Sequence, residues 1–114
     1  MEEKNLVKYK SKKVVIDGHE FPSKMEGNRY IKLREMQREN KISDLELQPP
    51  FLLQEGFTRD GKKYRPITYV ADFRYKIGDK VVVEDVKGFK TPEYKLKKKL
   101  LLYKYGGFEF KETK

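Results

Sequence analysis

No cysteine occurs among the 114 residues, and histidine occurs once, at His19. The first absence excludes disulfides, thiolate zinc sites, iron–sulfur clusters and a thiol nucleophile. The second excludes a multi-histidine metal site and a two-histidine mechanism. No apolar run approaches the roughly 18 residues of a membrane-spanning helix, so no membrane is expected as a partner. The opening MEEKNLVKYK lacks the apolar stretch of a secretory signal, so a cytoplasmic setting is expected. The length fits one small domain.

Charge and aromatic rings are what the chain has in quantity. Charged residues make up 39% and hydrophobic residues 37%, and seven Phe and eight Tyr can fill a modest core. Lys and Arg number 27 against 18 Asp and Glu, a net charge of +9. A small domain this basic is suited to a polyanion. Its polar chemistry must rest on carboxylates and lysines.

Local signals give the order of elements. Residues 1–13 are polar and lysine-rich and read as a mobile basic arm. Val14–Phe21 reads as a short hairpin turning at Asp17-Gly18. A helix is expected from Ser23 to Asn40, with Ser23 as N-cap and Glu26 three residues on. Asp44–Gln48 alternates and Phe51–Leu53 is apolar, which gives two short strands or one strand broken by Pro49-Pro50. Residues 55–65 read as a glycine-containing basic loop. Pro66–Ile77 and Lys80–Lys87 read as two strands joined at Gly78-Asp79. Thr91-Pro92-Glu93 starts a second helix that Gly106-Gly107 stops, and Phe108–Phe110 adds an edge strand. The expected class is α/β or α+β, a mixed central sheet flanked by two helices.

The acids of the last hairpin point to chemistry. With Ile77 opposite Lys80, the pairing runs back to place Asp72 opposite Asp85. Facing carboxylates repel, and a divalent cation between them relieves the repulsion. Strand alternation puts Val81, Val83, Asp85 and Lys87 on one face and Glu84 on the other. In the first helix, Glu26 shares a face with Tyr30, Leu33 and Gln37, where a carboxylate is costly unless paired or metal-bound.

Glu26, Asp72 and the Asp85-Val86-Lys87 run together resemble the PD-(D/E)XK nuclease superfamily. There a first-helix acid precedes a strand aspartate, and a further strand carries an acid, any residue and a lysine. Ala71 stands where the superfamily's name-giving proline would be. The stretches SKMEGNRY, LELQPPFLL, YVADFRY and EDVKG are similar to a small phage and prophage branch of the superfamily, over residues 10 to 105 or so. The resemblance implies a restriction-endonuclease-like core and a metal-dependent endodeoxyribonuclease. Phage or prophage DNA processing in a bacterial host, such as Holliday-junction or branched-DNA resolution, is the implied role.

Asp72, Asp85 and Glu26 would hold Mg²⁺ or Mn²⁺, with the Val86 carbonyl as a further ligand. Lys87 would reach the attacking water or the phosphoryl oxygen, and Gln48 would assist. DNA contacts are expected from Lys12, Lys13, Arg29, Lys62, Lys63, Lys90, Thr91, Lys95 and Lys98, with Thr91 opening a helix whose N-terminus can take a phosphate. Symmetric cutting by one active site per chain points to a homodimer. The rival readings are a non-catalytic nucleic-acid-binding accessory protein of phage replication or recombination, and a small structural or inhibitory protein that binds another protein.

Overall fold

The computed structural model describes residues 12–114, so most of the expected basic arm lies outside the described residues. Asp17 and Gly18 both take positive φ, 54° and 79°, and turn β1 (Val14–Ile16) into β2 (His19–Phe21). Helix α1 (Lys24–Arg38) follows. The Ser23 hydroxyl accepts the Glu26 amide at 3.1 Å, the capping interaction expected there. The helix packs on this hairpin at Gly27, where an added Cβ would lie 2.7 Å from Val14 Cγ2. Phe21 and Tyr30 fill the contact with ring centroids 5.0 Å apart. Asp17 clamps it, since its Oδ2 accepts from Tyr30 Oη and Arg34 Nη1, both at 2.8 Å. These elements make up the described part of a first compact unit, Met1–Lys41, and the second is Ile42–Lys114.

The second unit contains a four-stranded sheet in the order β10-β9-β8-β3. Its strands are β3 (Ser43–Leu47), β8 (Phe73–Ile77), β9 (Lys80–Val86) and β10 (Glu109–Thr113). The β8–β9 register runs from Ile77 opposite Lys80 to Phe73 opposite Glu84, as the turn at Gly78-Asp79 requires. Strand β10 runs parallel to β9, so the sheet is mixed. It is also longer than the Phe108–Phe110 segment expected from the sequence, and its end carries Glu112 and Thr113 alongside Asp85 and Val86.

The prolines divide the middle of the chain between two sheets. After β3, β4 (Pro50–Gln54) pairs with β7 (Ile67–Val70) in a separate antiparallel ribbon. The expected single strand Pro66–Ile77 is therefore two, broken at Ala71-Asp72. The break has a local cause. The Gln48 amide donates to the Asp72 carbonyl at 2.9 Å and the Ala71 amide to the Pro49 carbonyl at 3.1 Å, so both chains bend together. Helix α2 (Pro92–Lys104), capped by Thr91 Oγ1 on the Tyr94 amide, packs on β4 and β7. The core beneath it joins Phe51, Tyr69, Ala71, Val83 and Leu101.

The expected basic loop over 55–65 is a hairpin. Strands β5 (Phe57–Arg59) and β6 (Lys62–Tyr64) turn at Asp60-Gly61, both with positive φ. The sequence carried that Asp-Gly signal, but the flanking strands are basic and lack the apolar alternation that marks a half-buried strand. The chain is thus an α+β protein, with two helices and several small sheets among the described residues. Among the described residues, no helix is long and apolar enough to cross a membrane.

Candidate functional site

Where β7 breaks into β8, Asp72 leaves the ladder and its side chain turns to the end of β9. The Asp72 amide donates to Asp85 Oδ1 at 3.0 Å, and the Val86 amide donates to Asp72 Oδ2 at 2.7 Å. The two acids expected to face each other are thereby brought together, each accepting a backbone N–H from the opposite strand. The Tyr69 hydroxyl donates to Asp85 Oδ2. These three donors answer much of the repulsion that the sequence left open, through amides and a hydroxyl as well as any cation.

Asp85 is completely buried. Burial pushes its carboxyl up to about 6, against the downward pull of Lys87 and of the Asp72 amide. Lys87 Nζ lies 3.9 Å from Asp85 Oδ1 and 4.8 Å from the Tyr94 ring centroid. The ammonium is thus held between a carboxylate and an aromatic face. Tyr69, Lys87, Thr91, Tyr94 and Lys97 line an adjoining cavity of about 280 Å³. One wall carries Tyr69 and Lys87, the two side chains that touch the buried Asp85, and another carries the first turn of α2 with Glu93.

A second cluster stands behind Lys87. Glu112 Oε2 accepts from Tyr94 Oη at 2.5 Å and from Lys98 Nζ at 3.2 Å, and Glu112 Oε1 lies 3.1 Å from Lys90 Nζ. The Tyr94 hydroxyl and the two lysines hold the Glu112 carboxyl down to about 2. Burial, then the neighbouring Glu112, pushes the Tyr94 hydroxyl up. Tyr94 therefore stays protonated and works as a donor.

The remaining expected site residues fall in several places. Glu26 is buried in the first turn of α1, in the first compact unit, where its amide completes the Ser23 cap. Gln48 is exposed just past β3 with φ of 52°, joined to Asp72 through its backbone. Val86 ends β9. Among the expected DNA-contacting residues, Lys12 and Lys13 are exposed in the first unit and Arg29 is half-buried on α1. Lys62 and Lys63 stand exposed on β6, and Lys95 and Thr91 are exposed on and beside α2. Lys90 and Lys98 are turned to Glu112.

Tyr69, Tyr94 and Glu112 were not singled out by the sequence as parts of the site. Tyr69 left a signal: a tyrosine on the apolar stripe Tyr69, Ala71, Phe73 needs a hydroxyl partner once buried. Glu112 left none, because it arrives through the parallel pairing of β10.

The donor set bears on metal binding. Asp72 and Asp85 are hard oxygen donors, and a cation beside a buried carboxylate relieves the cost of its burial. A carboxylate has about four acceptor directions, so Asp85 retains capacity beyond Tyr69 and the Asp72 amide. The pair could hold a hard divalent ion. Among the described residues, no three His, Cys, Asp or Glu side chains gather as a metal-binding group, so water or substrate oxygens would complete the coordination. No curated protein matches the chain. Residues 6–113 match the family described as "Protein of unknown function (DUF1064)", and the chain belongs to that family.

Proposed function

We propose that the protein is a metal-dependent endodeoxyribonuclease of the PD-(D/E)XK kind, with Asp72, Asp85 and Lys87 at its centre. One observation carries this reading: Asp72, Asp85 and Lys87 converge where β7 breaks into β8 and β9 ends, in the order that the superfamily pattern assigns to catalysis, and Lys87 lines the adjoining cavity. A Mg²⁺ or Mn²⁺ held there would lower the pKa of a water and polarise a phosphoryl oxygen. The chain's own groups do the rest. Asp72 and Asp85 hold the cation, and Tyr69 fixes the orientation of Asp85. Lys87 offers hydrogen bonds to the attacking water or the scissile phosphate. Lys97 lines the same cavity, 3.3 Å from Glu93 in the first turn of α2, and could turn from that carboxylate to a neighbouring phosphate. By the same resemblance the substrate is branched DNA in phage or prophage processing, and symmetric cutting with one active site per chain calls for a homodimer.

The test is cleavage of a labelled four-way junction, flap, linear duplex and single strand with Mg²⁺ or Mn²⁺. Cutting that disappears in EDTA and in Lys87→Ala supports the nuclease. Cutting that survives both controls, or no cutting of any substrate, removes it.

A second reading has its own support. Tyr69 and the two exchanged amides satisfy the carboxylates without a metal, which suits a structural bracket in a non-catalytic DNA-binding protein. That reading expects tight, salt-sensitive binding and no effect of divalent ions on stability.

A further inference from the structure

The β5–β6 hairpin is a separate device. The bulge between Leu52 and Gln54 shifts β4–β7 by one residue, so that Gln54 opposes Ile67. Phe57 then opposes Tyr64, and Arg59 opposes Lys62, in that same register. The hairpin therefore continues the register of β4–β7 while forming a two-stranded sheet of its own. Within its own unit, neither β5 nor β6 packs on another helix or strand. All six of its strand residues are exposed.

Its two faces differ. Alternation puts Phe57, Arg59, Lys62 and Tyr64 on one face and Thr58 and Lys63 on the other. The first face carries two rings stacked with centroids 4.8 Å apart and planes 12° from parallel. Phe57 is 46% and Tyr64 42% exposed. Lys62 Nζ sits 5.4 Å from the Tyr64 centroid. From Phe57 to Arg65 there are four cations, Arg59, Lys62, Lys63 and Arg65, against Asp60 alone. A sheet face left out of the core, with stacked aromatics set among cations, matches what unpaired bases on a phosphate backbone require. The rings take the base faces and the cations take the phosphates. Duplex DNA hides its base faces and offers this stack nothing.

We propose that the β5–β6 hairpin is a projecting arm that binds unpaired DNA bases by stacking them on the Phe57–Tyr64 pair. The choice of DNA rests on the nuclease reading above; the recognition of unpaired bases does not. On a branched or frayed substrate the arm sets structure preference, because only the unpaired segment can join the stack.

The experiment is fluorescence anisotropy with the full chain in EDTA, so that binding is read without chemistry. The probes are a single strand, a fork with single-stranded tails, a blunt duplex of equal length and a single-stranded RNA of the same sequence. The wild type binds single strand and fork more tightly than blunt duplex. Phe57→Ile with Tyr64→Ile keeps strand-forming residues and removes the rings. It loses roughly tenfold on single strand and fork and less than about twofold on duplex, whereas Tyr64→Phe binds as wild type does. Equal loss on duplex, no loss on any probe, or tighter binding to RNA than to DNA overturns the proposal. A wild-type measurement guards against a misfolded variant. Photocrosslinking of a halogenated single strand should map to Phe57 or Tyr64, and crosslinks that avoid both residues overturn it. Loss of cleavage with the arm's binding intact would count against the nuclease alone, and the reverse pattern against the arm alone.

Discussion

Strand β9 buries two neighbouring acids, Glu84 and Asp85, on opposite faces, and each is completely inaccessible. Each accepts from a tyrosine hydroxyl: Glu84 Oε1 from Tyr75 at 2.6 Å, Asp85 from Tyr69. On the Glu84 side Thr113 Oγ1 adds a second neutral hydroxyl at 2.8 Å. On the Asp85 side stand a second carboxylate, Asp72, the Lys87 ammonium and a cavity. Burial and a tyrosine partner therefore do not mark a site, since both acids have them. What is particular to Asp85 is the pairing with Asp72 and the nearby Lys87, which lines the adjoining cavity.

Substitutions on the two faces should separate them. The largest effect is expected on cleavage. Asp72→Asn and Lys87→Ala should each lower Mg²⁺-dependent cutting by roughly 100-fold or more. Thr113→Val, behind Glu84, should leave it within about threefold. Equal losses in all three variants would erase the distinction.

A second contrast is in pH dependence without divalent ions. Asp85 holds its proton up to about 6 in the folded chain and to 3.8 when unperturbed. The folded state binds that proton more tightly, so stability falls as pH rises through this window and is level above it. Glu112, held down to about 2, acts with the opposite sign, but only below its ordinary 4.5. From pH 4.5 to about 6 the Asp85 effect stands apart and amounts to about 2 kcal/mol. Urea unfolding in EDTA should show that fall in the wild type and a flat profile in Asp85→Asn. A wild-type profile that rises across the window would contradict the assignment.

The smallest expected effect is from the two hydroxyls. Tyr75→Phe and Tyr69→Phe should each cost about 1 kcal/mol, at the low end for a buried acceptor, because each carboxylate keeps a second donor. Only Tyr69→Phe should also slow cleavage, by roughly tenfold. Thermal melts alongside cleavage rates read both, and a cleavage loss confined to Tyr75→Phe would reverse the roles of the two faces.

Much of this was legible where the cause is local. Asp17-Gly18, Ser23 and Thr91-Pro92 set their turns and caps within a few residues. The turn at Gly78-Asp79 alone set the register that brings Asp72 to Asp85. The β5–β6 hairpin was hidden because its strands bury nothing, so only Asp60-Gly61 marked it. The break at Ala71-Asp72 depends on Gln48 and Pro49, more than twenty positions away. The Thr113 hydroxyl on Glu84 arrives through the parallel pairing of β10 with β9, which no local pattern encodes.

On the reading proposed above, Asp72 and Asp85 form a cation site and Glu84 does not. The most direct measurement is Mn²⁺ binding, followed by electron paramagnetic resonance, in wild type, Asp72→Asn and Glu84→Gln. The account predicts one saturable site in the wild type, kept in Glu84→Gln and lost in Asp72→Asn. No site in the wild type, or a site that survives Asp72→Asn and vanishes in Glu84→Gln, would contradict it.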